Sequence, residues 1–260
     1  MTIALDQRYM TRIGASFLTP ERIAGLQLWY DARTPMGLAN DDPMVIWPDS
    51  SGNGNHATLG VAPTFRTADL NSGPATQNDG TNYMLSGVTP TATATIVAVI
   101  GSTTTSRVVF GAQTTAPNAR SYLALAAGGE VGGGVGTQGL DVILGSTAIN
   151  DDAPHILVLT YNGTTVTLNA DGAKEYSAAQ VGSAPTNEWY VHAIHKDATI
   201  SNVFIGDIGQ ILVYNRVVSD KEKTDLAEYF GNIYGITLLF MMDRAGRVMR
   251  DRFGAGIEAR

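Results

Sequence analysis

The sequence predicts an all-β protein, a two-sheet antiparallel sandwich with one amphipathic helix late in the chain. Three observations predict it. Short runs rich in β-branched residues recur at roughly 8–12-residue spacing with turn residues between them. Two Asx-Gly pairs, Asn162-Gly163 and Asp171-Gly172, divide HILVLTYNGTTVTLNADGAKEYS into three alternating runs. Such pairs readily adopt the positive φ of two-residue hairpin turns, so this stretch reads as an antiparallel meander. Finally, SDKEKTDLAEYFGNIYG changes the period: Ser219 with Glu222 forms a capping box, Leu226, Phe230 and Ile233 follow at helical spacing, and Gly235 supplies the stop.

The elements fall in order along the chain. Residues 1–24 read as an N-terminal arm, with one helical turn starting at Thr19 and Pro20 at its first position. LQLWYDA opens the sandwich, with Leu26, Leu28 and Tyr30 on one face and Trp29 on the other. ATIVAVI (94–100), RVVFGAQ (107–113), EWYVHAI (188–194) and VFIGDIGQILVYN (203–215) are further strands. GGEVGGGVG (128–136) reads as a flexible loop whose glycines imply mobility or close backbone approach. Residues 237–260 form a C-terminal arm, in which the apolar LLFMM (238–242) precedes Arg244, Arg247, Arg250 and Arg252.

The 260 residues suffice for a sizeable core. A net charge of −7 with only 16% charged residues gives no electrostatic claim on nucleic acid or an anionic membrane. The absence of cysteine excludes disulfides, thiolate metal sites and thiol nucleophiles. MTIALDQRYM lacks the basic start and apolar run of a secretory signal, and no apolar stretch reaches membrane-spanning length.

Several segments together carry a family resemblance. LQLWYDA, WPDSSGNGNHAT, PATQNDGTNYM, HILVLTYNGTTVTLNADGAKE and FIGDIGQILVYNRVVSDKEKTDLAEYFGNIYGI follow in this order. The set resembles the concanavalin A-like jelly roll of the laminin-G type found in bacterial and phage proteins, from about Gly25 to Ile236. The resemblance implies a jelly-roll sandwich with a concave face, often used for carbohydrate or protein binding. PATQNDGTNYM departs from the family, which usually has apolar residues where Thr76 and Asn78 stand.

Candidate sites are few. In WPDSSGNGNHATLG, Asp49, Asn53 and Asn55 are a candidate calcium set, with His56 better suited to zinc. One carboxylate is thin for calcium, and no second His or Cys lies near for zinc. The favoured reading is a structural corner: Asp49 and the asparagines bond backbone amides, Gly52 and Gly54 are left-handed, and Trp47 anchors the loop. No cofactor is expected. A glycosidase needs a carboxylate pair, whereas GDIGQI offers Asp207 with Gln210, and Glu222, Asp225 and Glu228 fall on the helix. VHAIH places His192 and His195 on opposite faces of a regular strand. For sugar binding the candidates are Trp189, Tyr190, Tyr122, Tyr83 and Asn82, which supply aromatic rings and an amide.

With the resemblance, these features predict a non-catalytic lectin-like module of a tailed-phage virion, on the tail or capsid surface. It would be made in the host cytoplasm and bind host surface polysaccharide beside other virion proteins. A homo-oligomer, a trimer in view of its apolar ends, is expected. The alternative is a capsid-decoration or tail-spacer protein with no glycan ligand.

Overall fold

A computed structural model describes residues 18–34, 36–114, 119–137, 143–180, 184–196 and 199–238. Most of both expected arms, including Arg244, Arg247, Arg250 and Arg252, lies outside the described residues. Strands are numbered in chain order. The first sheet runs β13 (Ala173–Ala179), β12 (Thr165–Ala170), β11 (His155–Tyr161), β6 (Ala94–Gly101), β17 (Ile205–Tyr214), β4 (Gly73–Asp79) and β3 (Thr64–Leu70), with β1 (Leu26–Asp31) also paired to β17. The second runs β10 (Ile143–Ala148), β9 (Glu130–Thr137), β8 (Ala119–Leu125), β7 (Arg107–Gln113), β14 (Tyr190–Val191), β5 (Tyr83–Leu85) and β2 (Thr58–Val61). A separate hairpin pairs β15 (Ile194–Lys196) with β16 (Thr199–Ser201). Among the described residues one α-helix, α1 (Asp220–Tyr234), follows β17.

Strand alternation sorts side chains into two apolar layers. Between the sheets lie Leu28, Tyr30, Trp47, Phe110, Leu123, Leu157, Leu168, Trp189 and Ile211, among others. On the other side of the eight-stranded sheet, Val97, Val99, Ile156, Val158 and Leu212 meet Leu226, Ala227, Phe230 and Tyr234 of α1. The helix therefore occupies that sheet's outer face. Burial of each large apolar side chain stabilises by about 1.5–3 kcal/mol, which explains why a 15-residue helix is stable here. Its ends match the sequence reading: the Ser219–Glu222 capping box is formed, and Gly235 is left-handed at φ 65°.

Four expectations are corrected by non-local structure. GGEVGGGVG contributes β9 rather than a loop. Its glycines permit close approach, since a Cβ on Gly133 would sit 2.6 Å from Leu159 Cδ1 and 2.8 Å from the Tyr122 carbonyl oxygen. EWYVHAI is broken: β14 stops at Val191, and His192 takes φ 64°. The buried His192 Nε2 is 2.8 Å from Thr76 Oγ1, and burial lowers its pKa to about 3, so the ring is neutral at neutral pH. In β1 a register shift between Leu26 and Leu28 turns Leu26 to the helix side, where it joins Trp29. Residues 18–24 are no free arm: Pro20 and Ile23 are buried, and Tyr214 Oη donates to the Pro20 carbonyl.

The meander is present, with one adjustment. Ala170 pairs with Ala173, and Asp171 and Gly172 between them have φ of 47° and 83°, as a mirror-image turn requires. At the other turn the two central residues are Gly163 and Thr164, not Asn162 and Gly163. Asn162 N–H donates to the Thr165 carbonyl at 3.2 Å, and Asn162 Oδ1 accepts from Thr164 N–H at 3.0 Å and Thr165 N–H at 2.8 Å. Gly163 sits at φ 98° with Ala92 O no nearer than 3.9 Å to an added Cβ. Gly163→Val is expected to destabilise by about 1–3 kcal/mol through backbone strain alone. Chemical denaturation should show the loss, and Gly163→Ala should lose less.

The departures Thr76 and Asn78 are accommodated by hydrogen bonds. Thr76 meets His192, while Asn78 Oδ1 accepts from the backbone N–H of Gly80 and Asn82, and its Nδ2 donates to the Asn82 carbonyl. Both are buried, so these bonds offset a desolvation cost of about 1–3 kcal/mol per group.

Candidate functional site

The corner loop comes first, because the metal reading depends on it. Asp49 Oδ1 accepts from the N–H of Trp29 and Ser51, each at 2.9 Å. Its Oδ2 accepts from Asn55 N–H at 2.9 Å and Ser51 Oγ at 2.8 Å. Asn53 Nδ2 donates to the Leu26 and Gln27 carbonyls and Asn55 Nδ2 to the Gln27 carbonyl. His56 Nδ1 accepts from Asp49 N–H at 3.0 Å. Gly52 and Gly54 are left-handed at φ 86° and 77°, and buried Trp47 stacks on Tyr30 with ring centroids 5.3 Å apart. The Asp49 carboxylate and the Asn53 and Asn55 side-chain nitrogens thus fasten the loop to itself and to β1.

The sheet register places the sugar-binding candidates. Phe110 and Ala112 of β7 and Leu123 of β8 face the core, so Gly111, Gln113, Arg120 and Tyr122 face outward from the seven-stranded sheet. Tyr190 pairs with both Gly111 and Leu85, and Gly111 pairs with Tyr122. One row thus crosses β8, β7, β14 and β5 on the outer face. Tyr83 stands diagonally from Tyr190 with ring centroids 6.0 Å apart, and His195 stacks on Tyr190 at 5.4 Å and 11°. Tyr83 lies flat against Gly60, whose added Cβ would fall 1.9 Å from the Tyr83 ring. All three rings are partly exposed.

The other candidates divide. Trp189 is a core residue, 1% exposed and stacked on Phe110 at 4.7 Å, because it alternates with Tyr190 and points the other way. It has no surface to offer a ligand. Tyr122 is on the outer face but covered, grouped with Val108, Ala124 and Ile194 beneath the β15–β16 hairpin. Asn82 holds the loop after β4, its Nδ2 donating to the Ala62 carbonyl and its Oδ1 accepting from Thr81 Oγ1. The structure therefore brings together Tyr83 and Tyr190 and adds His195.

Residues missed from sequence lie alongside. Glu188 is two residues before Tyr190, and its Oε2 accepts from Gly87 N–H at 2.8 Å. Burial first and then Glu188 raise the Tyr190 phenol pKa. Arg120 pairs with Gln113 in the adjoining row. The two-residue steps Glu188–Tyr190 and Arg120–Tyr122 carry this same-face information in the sequence.

The acids singled out earlier sit elsewhere. Glu222 pairs with Arg216 and the helix cap, and Asp225 with Lys221. Gln210 Oε1 accepts from Trp29 Nε1 at 2.8 Å. Asp207 is on β17 of the other sheet, and burial, reinforced by Asp69 and Asp152, pushes its pKa up to about 7. Its folded pKa exceeds the unfolded value near 3.9. Its contribution is therefore fully favourable below about pH 4 and is lost as pH rises through about 7. Asp207→Asn should flatten that part of the stability–pH curve and, after screening, gain about 2 kcal/mol at pH 8. Thermal unfolding from pH 4 to 8 checks this.

Among the described residues, no group of three or more His, Asp or Glu side chains is placed to hold a metal ion, and no helix is long and apolar enough to cross a membrane.

No protein-family model matches the chain, and no curated protein matches it in sequence. Among solved structures it is similar to domain 4 of a GH43 extracellular arabinanase from Geobacillus stearothermophilus in complex with arabinotriose. That match has 16% identity and a TM-score of 0.56, covering 78% of this chain and 98% of that one. It is also similar to the CBM40 of the Ruminococcus gnavus IT-sialidase bound to α2,3-sialyllactose, with 16% identity and a TM-score of 0.50 over 59% of this chain and 96% of that one. Trypanosoma rangeli sialidase in complex with sialic acid matches with 16% identity and a TM-score of 0.54, over 82% of this chain and 34% of that one. The chain thus spans about a third of the sialidase. At these identities the likeness is one of fold, and the chain is a two-sheet antiparallel jelly-roll sandwich with one late helix.

Proposed function

We propose that the protein is a non-catalytic carbohydrate-binding module whose ligand lies across Tyr83, Tyr190 and His195 on the outer face of the seven-stranded sheet. The observation that carries the reading is this ring cluster, with centroid spacings of 6.0 and 5.4 Å, set partly exposed beside Glu188. Flat ring faces beside polar groups suit the apolar face and hydroxyl edge of a pyranose. Support also comes from the fold's neighbours, whose structures hold arabinotriose and α2,3-sialyllactose. The eight-stranded sheet offers no comparable outer face, since α1 lies on it.

The non-catalytic part rests on the carboxylates. Glycosidases set two carboxyl groups about 5–9.5 Å apart around the scissile bond. Here the Glu188 carboxylate beside Tyr190 already binds Gly87 N–H, and Asp207 belongs to the opposite sheet. Release of reducing ends from a bound glycan would overturn this.

The setting we propose is the surface of a tailed-phage virion, on tail or capsid, with host polysaccharide as ligand and other virion proteins as neighbours. It rests on the resemblance of the chain's closing segment to the phage-type jelly rolls. A trimer would multiply weak sugar sites through effective concentration. Light scattering tests the assembly, and a monomer at micromolar concentration contradicts it. A glycan array tests the ligand: specific binding supports the reading, while silence across bacterial surface polysaccharides favours a spacer or decoration role.

A further inference from the structure

Beside the aromatic cluster lies a polar row whose hydrogen-bonding capacity is unfilled. Arg120 on β8 pairs directly with Gln113 on β7, and Gly136 on β9 flanks Arg120 on the other side. Side chains opposite one another in an antiparallel pair emerge on the same face, and here that is the outer one, because Ala112 and Leu123 face the core. Gln113 is 1% exposed, yet neither its Oε1 nor its Nε2 has a hydrogen-bond partner. The Nε of Arg120 is likewise buried and unpartnered. Among the described residues no carboxylate forms an ion pair with Arg120 or with Arg107, whereas Arg33 and Arg216 each have one and Arg66 has two.

Buried amides and guanidinium groups left without partners are costly, and native proteins seldom keep them without a reason. The row is contiguous with the proposed sugar face, since Gln113 is two residues from Gly111, the pairing partner of Tyr190. Asn187 further ties the two together, its Nδ2 donating to the Gln113 carbonyl.

We infer that the ligand is an acidic saccharide, its carboxylate received by the Arg120 guanidinium, which is partly exposed on the outer face, with the buried Gln113 amide beneath it. The complementarity is chemical. A guanidinium offers only donors and favours a planar carboxylate. The carboxylate of Glu188 is turned to Gly87 N–H. A chain of net charge −7 repels acidic ligands in general, so acceptance of one requires a local cation such as this. The inference rests on the carbohydrate-binding reading above and narrows its ligand class.

The test uses the full-length protein and an array pairing hexuronic-acid oligosaccharides with their carboxyl-reduced, neutral counterparts. The wild type should bind at least one acidic member about tenfold more tightly than its reduced partner, with the preference weakening as salt rises. Arg120→Met should erase the preference, Arg120→Lys should keep part of it, and Tyr190→Ala should weaken both partners alike. Circular dichroism establishes that each variant is folded. If Arg120→Met does not fold, Arg120→Lys and Arg120→Gln decide, the first expected to lower the preference and the second to erase it. Equal binding to acidic and neutral partners, or a preference left undiminished when Arg120 is replaced by an uncharged residue, overturns the acidic class while leaving carbohydrate binding standing. Silence of the folded wild type toward every glycan overturns both.

Discussion

Trp189→Ala is expected to cost about 3–5 kcal/mol of folding stability, while Tyr190→Ala, one residue on, costs less than about 1 kcal/mol. The contrast follows from strand alternation. Trp189 is sealed between the sheets against Phe110, and truncation leaves a cavity where an indole stood. Tyr190 is partly exposed on the outer face, and its loss removes contacts with Tyr83 and His195 that water can replace. Denaturant unfolding of the two variants measures both values. Similar losses would mean that the register of β14 is not Tyr190 opposite Gly111 and Leu85.

Asp49→Ala carries the second large effect, about 2–3 kcal/mol, because it strips acceptors from three backbone N–H groups and one hydroxyl at once. Asp49→Asn keeps one of the two oxygens as an acceptor and should lose about half as much. We propose that the loop works without a metal, so EDTA should leave the wild-type melting temperature unchanged and calcium should not rescue Asp49→Ala. A melting temperature that falls in EDTA and recovers with calcium would return Asp49, Asn53 and Asn55 to the role of ligands.

Legibility from sequence followed the range of the interactions. The helix could be read because Ser219, Glu222 and Gly235 act on their own backbone within a few residues. The corner loop was legible in part for the same reason, as Asp49 serves amides at Ser51 and Asn55, whereas Asn53 and Asn55 reach back to the distant Leu26 and Gln27 carbonyls rather than to nearby amides. The Asp171-Gly172 turn needs nothing beyond its own dihedrals.

What failed depended on partners far along the chain. The glycines of β9 resemble a loop until Leu159 and the Tyr122 carbonyl are seen to press on Gly133. The break at His192 is fixed by Thr76, over a hundred residues earlier. Trp189 and Tyr190 both looked like ligand contacts, since composition does not say which ring faces the core. Tyr83 and Tyr190 become neighbours only through the β5–β14 pairing, which no local signal announces. His195 joins them because β15 leaves the plane of the strand it seemed to continue.

The measurement that bears most directly on the ligand face is the dissociation constant of Tyr190→Ala for the best-bound glycan, taken beside its unfolding curve. A loss of tenfold or more in affinity, about 1.4 kcal/mol, with near-native stability is expected. Wild-type affinity in a folded Tyr190→Ala protein would contradict the assignment of the outer face of the seven-stranded sheet as the ligand surface.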